Sequence, residues 1–577
     1  MKKLMLGNEG VARGAYEAGV RVAAAYPGTP STEIAETIAK YDEVYAEWSP
    51  NEKVALETAI GASIGGARAL VCMKHVGLNV AADPLFTVAY TGVNGGLVIV
   101  TADDPGMHSS QNEQDSRYYA KAAHIPMLEP ADSQEAKDFT KLAYRISEAY
   151  DTPVLIRMTT RVSHSQSIVT LKERQEVGRK AYYKDSAKYV MMPGMARKRH
   201  IIVEKREAEL SEAAEQLSVN RMESKDPSIG IIAAGIAYQY AAEALPDASI
   251  LKLGMVHPLP IKRIKEFASR VKKLYVVEEL EPILEDEIKS RGISVIGKEL
   301  FSRQGELSAW IIKEKITGIT PRFSGSPEEL PERPPALCPG CPHRGAYYVM
   351  KRLNLTVVGD IGCYTLGALP PLNSVDASIC MGASIGMALG MEKARGRDFS
   401  RKLIAVIGDS TFIHSGITGL IDVVYNQGIT TVVILDNSTT GMTGHQDHPA
   451  TGKNIKGDPA PILNLYALVK AIGIPNVRVV DPFDIEQAEK ILKEETKREE
   501  PSVIFFQRPC VLLSKKSGLP CFIDHESCKS CGSCLRLGCP AILKKENRIG
   551  INQQLCNGCG LCQNVCRFHA IEGGSKE

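Results

Sequence analysis

Short, continuous apolar runs recur along this chain and predict buried strands. Residues 98–100 and 154–156 are two such runs, each bounded by Gly, Asp or Pro, as in parallel strands that are covered on both faces. A helix is predicted from Glu52 to Ala69, with Ser49 as its N-cap and Pro50 in its first turn. The N-terminal part of the chain is therefore predicted to be α/β.

Two further groups of apolar runs predict two further α/β units. The runs are residues 229–233, 249–252 and 274–277, then 356–358, 403–407, 431–435 and 503–506. A Lys/Glu-rich stretch at about 181–225 predicts a solvated helical connector, and a Pro-rich stretch near 325–337 predicts a boundary. With a cysteine-rich tail, the predicted domains are residues 1–180, 181–330, 331–518 and 519–577.

Composition changes this picture little. The chain has 577 residues, 44% of them hydrophobic and 24% charged, with a net charge of +2. This is ordinary for a globular protein and argues against nucleic acid or an anionic membrane as a partner. No apolar run approaches a membrane span, and Glu9 and Arg13 interrupt the N-terminus too early for a signal peptide. The 15 cysteines therefore predict a reducing cytoplasm and metal ligation.

More than half of the cysteines lie in the last 50 residues. They form two runs: Cys528, Cys531, Cys534 and Cys539, then Cys556, Cys559, Cys562 and Cys566. The spacing is close to the two-cluster bacterial ferredoxin pattern, in which each run lends its fourth thiolate to the other cluster. Crossed ligation gives one 4Fe–4S cluster Cys528, Cys531, Cys534 and Cys566, and the other Cys556, Cys559, Cys562 and Cys539. A zinc ribbon is the alternative, but zinc sites usually use two Cys pairs rather than triplets.

A second motif predicts a magnesium site. Gly408-Asp409-Ser410 follows one predicted strand, and Asn437 follows the next. Open α/β sheets bind ligands at the carboxyl ends of their strands. The Asp409 carboxylate, the Asn437 amide oxygen and the Thr439 carbonyl could then hold Mg²⁺, which prefers oxygen ligands. The alternative is an ordinary Gly-Asp turn with an Asn at a strand end.

This motif resembles the diphosphate motif of thiamine diphosphate enzymes, Gly-Asp-Gly followed by Asn-Asn. Ser410 replaces the final Gly and Asp436 the first Asn, while the metal-binding positions are retained. The resemblance extends to Glu52, which opens the predicted helix as the activating Glu does in that superfamily. It implies that Glu52 hydrogen-bonds the aminopyrimidine nitrogen N1′ of the cofactor. The alternative for Glu52 alone is a favourable acid in the first turn of a helix.

Further stretches resemble the pyrimidine-binding domain of the 2-oxoacid:ferredoxin oxidoreductases. They are residues 26–33 (YPGTPSTE), 74–79 (KHVGLN), 83–85 (DPL) and 101–106 (TADDPG), the last leading to Arg117. By this resemblance Thr29 and Arg117 contact the substrate carboxylate. As isolated residues, they would be a turn residue and a surface charge.

The order of the domains is similar to the large subunit of the aryl-pyruvate branch of this family. A transketolase-C-like domain follows the pyrimidine domain, a diphosphate domain opens at residues 338–345 (CPGCPHRG), and the ferredoxin-like α+β domain ends the chain. The resemblance implies oxidative decarboxylation of indolepyruvate, or of phenyl- and hydroxyphenylpyruvate, to an acyl-coenzyme A, with ferredoxin as electron acceptor. It also implies a smaller gamma-type partner chain in a dimer of heterodimers.

The remaining cysteines and several histidines leave alternatives open. Related enzymes carry a proximal third cluster, for which the matching residues are Cys338, Cys341, Cys363 and Cys510. Alternatively, these cysteines form a tight turn and small buried positions. The cysteines without a spacing partner, Cys72, Cys380 and Cys521, are expected to be packing residues. Histidines that could face the active centre, or be ordinary loop residues, are His75, His343, His414, His445 and His448.

Two other functions are compatible with parts of this pattern. A non-oxidative thiamine-dependent decarboxylase or lyase would need no clusters, so the cysteine-rich tail argues against it. A non-catalytic electron-transfer subunit would not need an intact thiamine site, yet Glu52, Asp409 and Asn437 are all present.

Overall fold

The computed structural model describes residues 1–320, 334–514, 518–546 and 548–574. Two compact units make up the chain, Met1–Pro327 and Glu328–Glu577. The Pro-rich boundary predicted near residues 325–337 falls mainly outside the described residues.

The first unit contains a larger and a smaller sheet with helices on their faces, and a separate antiparallel pair formed by its first and eighth strands. Its strands are β1 (Lys2–Leu6), β2 (Val22–Ala25), β3 (Tyr45–Trp48), β4 (Ala69–Lys74), β5 (Leu97–Asp103), β6 (Met127–Leu128), β7 (Val154–Thr159), β8 (Gln166–Thr170), β9 (Arg221–Glu223), β10 (Asp226–Ala234), β11 (Ala248–Leu253), β12 (Met255–His257) and β13 (Lys273–Val277). Its helices are α1 (Gly7–Glu17), α2 (Thr32–Ile38), α3 (Glu52–Ile64), α4 (His75–Val80), α5 (Ala82–Thr91), α6 (Arg117–Ala123), α7 (Ser133–Tyr150), α8 (Thr160–His164), α9 (Ser186–Tyr189), α10 (Pro193–Ala214), α11 (Gly235–Ala244), α12 (Ile261–Ser269), α13 (Ile283–Ser290) and α14 (Ala309–Thr317).

The larger sheet of this unit has the order β12-β6-β7-β5-β4-β2-β3. All its strands are parallel except β12, which pairs antiparallel with β6. Every residue of β4, β5 and β7 is buried, because helices cover both faces of the sheet. The short strand β12 comes from the predicted second domain, so the sheet crosses the boundary predicted at residue 180. The smaller sheet has the order β13-β10-β11-β9.

The helix predicted from Glu52 to Ala69 begins as expected but ends earlier. It ends at Ile64, and Ala69 already belongs to β4. Gly66 adopts a left-handed φ of 88°, which stops the helix. Its N-cap is Asn51 and not Ser49, since the Asn51 side chain accepts a hydrogen bond from the Val54 amide.

The predicted connector contains a long helix, α10, but this helix is only partly solvated. Arg199 and Arg206 on one of its faces are buried. They donate to the carbonyl groups of Ala89, Tyr90 and Thr91 at the end of α5. Cationic side chains at this end of a helix satisfy its unpaired carbonyls. The connector therefore packs against the first predicted domain rather than only linking it to the next.

The second unit joins a parallel sheet to the cysteine-rich tail. Its strands are β14 (Thr356–Val358), β15 (Leu403–Gly408), β16 (Thr431–Asp436), β17 (Asn476–Val480), β18 (Ser502–Gln507), β19 (Phe522–Ile523), β20 (Ile542–Lys545), β21 (Arg548–Ile551) and β22 (Ile571–Glu572). Its helices are α15 (His343–Arg352), α16 (Ala383–Arg395), α17 (Arg397–Ser400), α18 (Asp409–Thr411), α19 (Ile417–Tyr425), α20 (Leu465–Ile472), α21 (Ile485–Glu495) and α22 (Leu561–Asn564), with a π-turn at Phe412–Gly416 and short 3₁₀ turns at Cys363–Ala368, Val511–Leu513 and Cys534–Leu537.

The sheet of the second unit is parallel throughout, in the order β14-β15-β16-β18-β17. The tail forms two small antiparallel pairs, β19 with β22 and β20 with β21. Side chains of α15 and of the tail share one buried core, for example Tyr347 with Leu561. The predicted α/β class and all strands predicted from apolar runs are confirmed. Among the described residues, no helix is both long and apolar enough to cross a membrane.

Candidate active site and cluster cavities

The carboxyl edge of the second unit's sheet carries the predicted magnesium residues. Gly408 ends β15 and pairs in register with Leu435 of β16, so Asp409 and Asn437 leave neighbouring strands side by side. A Cβ atom on Gly408 would lie 2.6 Å from the Tyr364 ring, so the close packing requires glycine. A continuous helical segment, α18 through α19, starts at Asp409 and turns its first amides toward this edge.

Oxygen atoms converge between these strand ends. One amide atom of Asn437 lies 3.3 Å from Asp409 Oδ1 and 2.7 Å from the Thr439 carbonyl oxygen. With nitrogen at that position, the amide donates to both neighbours. With oxygen there, three oxygens face one another, which is the donor set of a hard divalent cation. The three residues therefore fit Mg²⁺, although no three His, Cys, Asp or Glu side chains converge on a single-ion site among the described residues.

Neighbouring groups hold Asp409 in place. Its Oδ1 accepts a hydrogen bond from the Ser410 amide and its Oδ2 one from the Ser438 amide, each at 2.8 Å. His448 Nε2 lies 3.3 Å from Asp409 Oδ2. Burial, followed by the charge of Asp409, raises the pKa of Asp436. The carboxylate is thus fixed by backbone amides, which leaves its Oδ1 turned toward Asn437.

The predicted histidines divide between the two units. In the second unit, His343 is buried, and burial lowers its pKa to about 4; its ring meets Tyr364 edge-on at 5.8 Å. His414 is buried beside Ser415, and His445 is half-buried in a left-handed conformation. In the first unit, His75 is fully buried and burial lowers its pKa.

Glu52 lies at the carboxyl edge of the first unit's larger sheet. It is the first residue of α3 and is 5% exposed. A Cβ atom on Gly77 would lie 2.5 Å from Glu52 Oε1, so α4 packs directly on this carboxylate. The KHVGLN stretch at residues 74–79 is therefore in contact with Glu52.

Thr29 lies on the loop that follows β2 and is half-buried. Its carbonyl accepts a hydrogen bond from Ser109 Oγ at 3.3 Å, and the Ser109 carbonyl accepts one from Lys74 Nζ at 2.6 Å. Since β2 and β4 are neighbouring parallel strands, their carboxyl ends lie side by side. Thr29, which follows β2, is therefore close to Lys74, which ends β4.

Arg117 is a buried, paired residue rather than a surface charge. It is 1% exposed, and its guanidinium donates to Asp115, Glu278 and the carbonyls of Glu279 and Glu281. Burial by itself would lower the pKa of Arg117, but the charges of Asp115 and Glu278 outweigh it and raise the pKa well above its usual value. These contacts fix the guanidinium in place, and the contact of Arg117 with the substrate carboxylate stays a prediction.

The ferredoxin-like tail encloses two separate cysteine-lined cavities. The thiols that line the first are Cys528, Cys531, Cys534 and Cys566. The thiols that line the second are Cys521, Cys539, Cys556, Cys559 and Cys562. The structure thus gathers each of the two crossed sets predicted from the spacing. Four residues separate Cys534 from Cys539, one more than separate Cys562 from Cys566, yet Cys539 still reaches the second cavity.

Two residues at the second cavity were missed by the sequence reasoning. Cys521 is buried, and its amide donates to Cys556 Sγ at 3.3 Å. No spacing signal could have revealed it, since it lies outside both runs. Arg344 also lines the cavity and donates to the carbonyls of Cys338 and Leu537. Arg344 belongs to the CPGCPHRG stretch at residues 338–345, so the motif itself is a sequence signal that points to this arginine.

The residues of the predicted third cluster also lie near one another. Burial, and then the neighbouring thiols of Cys510 and Cys338, raise the pKa of Cys363 to about 11. Burial is also the largest cause that raises the pKa of Cys341 to about 12, and Cys363 and Cys338 add to it. The Cys510 amide donates to the Asn437 carbonyl at 2.9 Å. This group therefore lies beside the Asp409–Asn437 edge.

Three family models match this chain. They are the thiamine pyrophosphate enzyme C-terminal TPP-binding domain at residues 360–506, the thiamine diphosphate-binding domain of pyruvate flavodoxin/ferredoxin oxidoreductase at 13–224, and a 4Fe–4S binding domain at 549–572. The first covers the Asp409–Asn437 edge, and the second covers Glu52 and Thr29. They confirm the predicted thiamine and iron–sulfur domains.

Full-length relatives agree with these matches. The chain is 40% identical to indolepyruvate oxidoreductase subunit IorA of Archaeoglobus fulgidus, over 99% of this chain and 97% of the relative. It is 40% identical to IorA of Methanothermobacter thermautotrophicus, over 100% and 98%, and to IorA of Pyrococcus horikoshii, over 99% and 97%. The chain therefore belongs to the indolepyruvate oxidoreductase subunit IorA family and is a subunit of a thiamine diphosphate-dependent 2-oxoacid:ferredoxin oxidoreductase.

Proposed function

We propose that the complete enzyme oxidatively decarboxylates aryl pyruvates, and indolepyruvate in particular, to aryl-acetyl-coenzyme A. The bond between the 2-oxo carbon and the carboxylate breaks and releases CO₂. The sulfur of coenzyme A forms the new thioester bond and loses its proton, and two ferredoxins each accept one electron. The observation that carries this proposal is the similarity to IorA subunits over nearly the whole length of both chains.

Thiamine diphosphate, when bound, supplies an electron sink for the pair left by the departing CO₂. Asp409, the Asn437 amide and the Thr439 carbonyl would hold the Mg²⁺ of its diphosphate, a role supported by their convergence. The first amides of the helical segment that begins at Asp409, with Ser410 among them, suit the phosphate oxygens.

Glu52 would hold a proton at the aminopyrimidine nitrogen N1′. The support is its burial and the contact of α4 with its carboxylate, since a carboxyl screened from water interacts more strongly with one ligand atom. Thr29 would offer its hydroxyl to the substrate. The crossed cysteine sets would hold two 4Fe–4S clusters, which carry one electron at a time.

A smaller gamma-type chain is proposed as the partner, in a dimer of heterodimers. The curated relatives are named as subunits, which supports a partner chain. Ferredoxin would be the external acceptor.

The test replaces the Glu52 carboxyl in the purified complex. We expect Glu52→Gln to lower indolepyruvate-dependent ferredoxin reduction roughly 100-fold or more, because a positioned acid–base group contributes at least that much. Calorimetry should still detect thiamine diphosphate binding. The matched control is Glu57→Gln, which changes an exposed carboxylate on the same helix that pairs with Lys53. Full activity of Glu52→Gln would remove this residue from the mechanism.

Product analysis separates the other two functions. Formation of the aldehyde without ferredoxin reduction would favour a lyase. Absence of thiamine diphosphate binding to the wild-type complex would favour an electron-transfer subunit.

A further inference from the structure

We propose that the ammonium group of Lys74 binds the carboxylate of the 2-oxo acid. This inference rests on the proposed function and names a binding residue within the same site. It gives the substrate carboxylate a cationic contact on the Thr29 side of the site, separate from Arg117, whose guanidinium is already bonded to Asp115 and Glu278.

Lys74 lies next to the residue expected to contact the substrate. It ends β4, and a Cβ atom on Gly28 would lie 3.1 Å from Lys74 Cβ. Ser109 links the two sides, since its carbonyl accepts a hydrogen bond from Lys74 Nζ at 2.6 Å and its hydroxyl donates to the Thr29 carbonyl at 3.3 Å. Lys74 and Thr29 thus share one hydrogen-bonding neighbour.

The same short segment contacts the proposed acid–base group. Lys74 is followed directly by α4, and Gly77 in that helix packs on the Glu52 carboxylate. The segment from Lys74 to Gly77 therefore contacts both the Thr29 loop and Glu52. A substrate carboxylate bound at Lys74 would place the adjoining 2-oxo carbon near Thr29 and Glu52, the residues that act on the substrate and the cofactor in the proposed reaction.

Lys74 lacks the carboxylate partner that most buried cations of this unit have. The buried cations that form ion pairs are Arg117, Arg157, Arg199, Lys137 and Lys252. Arg206 is the other described buried cation of this unit without one, but its guanidinium donates to the carbonyls of Asp151 and Ala89. Among the described residues, no ion pair involves Lys74, although it is only 8% exposed. Asp104 is the opposing charge that acts on it, but the Asp104 carboxylate already accepts from Ser109, Ser110 and Thr160.

A buried ammonium without a counter-charge is costly, and an anionic ligand removes that cost. Burial lowers the pKa of Lys74 to about 8, and the charge of Asp104 only partly opposes this. The titratable groups that face Lys74 are Asp104 and His75. Lys74 has three donor hydrogens, one of which is used by Ser109, so donors remain for a carboxylate.

The first test measures equilibrium binding to the thiamine-loaded complex by calorimetry. The probes are phenyllactate and its neutral amide. Phenyllactate has a carboxylate but a 2-hydroxyl group in place of the 2-oxo group, so the enzyme cannot decarboxylate it by this reaction. Lys74→Met keeps most of the apolar stem and removes the charge. We expect it to weaken phenyllactate binding roughly 30-fold or more, as for loss of one partner of a buried charge pair, and to leave amide binding within about twofold. Lys53→Met, on the outward side of α3, is the control.

The second test uses pH. The Lys74 ammonium group loses its proton, and with it its charge, as pH rises through its pKa. The wild-type kcat/KM for indolepyruvate should therefore fall above about pH 8. In Lys74→Arg the fall should move to higher pH, because a guanidinium stays charged. A pH profile that Lys74→Arg does not change would contradict the proposal.

Failure of this inference can be told apart from failure of the proposed function. If the wild-type complex reduces no ferredoxin with any aryl pyruvate, the proposed function is wrong. If the wild type turns over and Lys74→Met still prefers phenyllactate to its amide as the wild type does, only the Lys74 inference is overturned. Should Lys74→Met bind no thiamine diphosphate, Lys74→Gln provides the same removal of charge, and Lys74→Arg is the variant that keeps it.

Discussion

At the scale of single residues, Glu279 is predicted to make stability depend on pH. It lies just after β13, and burial raises its pKa to about 7. The hydrogen bond from the Leu307 amide and the charge of Arg157 lower the pKa, but by less than burial raises it. The unfolded chain ionises this group near its usual value of 4.5, so between about pH 4.5 and 7 the folded state binds the extra proton. Stability should therefore fall as pH rises through this window, by up to about 3 kcal/mol.

The free energy of unfolding is measured by urea titration of the full chain at several pH values, from the transition that belongs to the first unit. Glu279→Gln should flatten this component of the pH dependence, because the amide carries no proton to lose. Glu281→Gln, a more exposed neighbour (38% for its side chain), should leave the slope unchanged. An unchanged slope in Glu279→Gln would show that another group causes the dependence.

Single residues also show where sequence reasoning stops. Glu52, Asp409 and Asn437 could be found because each lies at the end of a predictable element. The contacts of Arg117 could not, because its partner Glu278 is 161 positions away along the chain and no periodicity connects them. Cys521 faces Cys556 only through the folding of the tail, 35 positions away.

At the scale of elements, α3 depends on its cap. Asn51 Oδ1 accepts a hydrogen bond from the Val54 amide at 2.9 Å, so Asn51→Ala should destabilise the start of the helix by about 1 kcal/mol. Glu52 is the first residue of this helix, and fraying would move its carboxylate. We expect faster amide hydrogen exchange in the first turn of α3 and lower activity, both restored by Asn51→Asp.

Ser49→Ala is the control for this prediction. The Ser49 hydroxyl donates to Glu47 Oε1 at 2.7 Å and not to the helix, although the sequence made it the expected cap. Equal effects of Ser49→Ala and Asn51→Ala would contradict the capping assignment.

Elements differed in how well the sequence predicted them. The long apolar strands, such as β5, β7 and β16, could be predicted because both faces are buried. The strand β12 could not, since its three residues are too short for a pattern. The strand β17 has exposed residues in its middle and so lacks a continuous apolar run.

At the scale of the whole molecule, the number of clusters can be counted. The cysteine groups lie in two cavities of the tail and beside the Asp409–Asn437 edge. If all three are occupied, anaerobically purified protein should contain about twelve irons per chain, and about eight if only the tail binds clusters. We expect twelve, because Cys338 and Cys341 share one turn, and Cys363 and Cys510 both lie beside Asn437.

Two variants check this count. Cys363→Ala should remove about four irons and leave the signals of the tail clusters intact. Cys72→Ala, in a buried strand of the first unit, should remove none. A count of about eight in the wild type would contradict the third cluster.

The pairing of β15 with β16 limits how related sequences can diverge around the proposed metal site. Asp409 and Asn437 meet because Gly408 is in register with Leu435. Residues added to the turn after α19 lie outside this ladder and, like surface loop insertions, cost little. One residue added within β16 would turn its side chains to the opposite face and carry Asn437 away from Asp409. Searches for distant relatives should therefore allow the spacing between Asp409 and Asn437 to vary, while requiring each residue to follow its strand immediately.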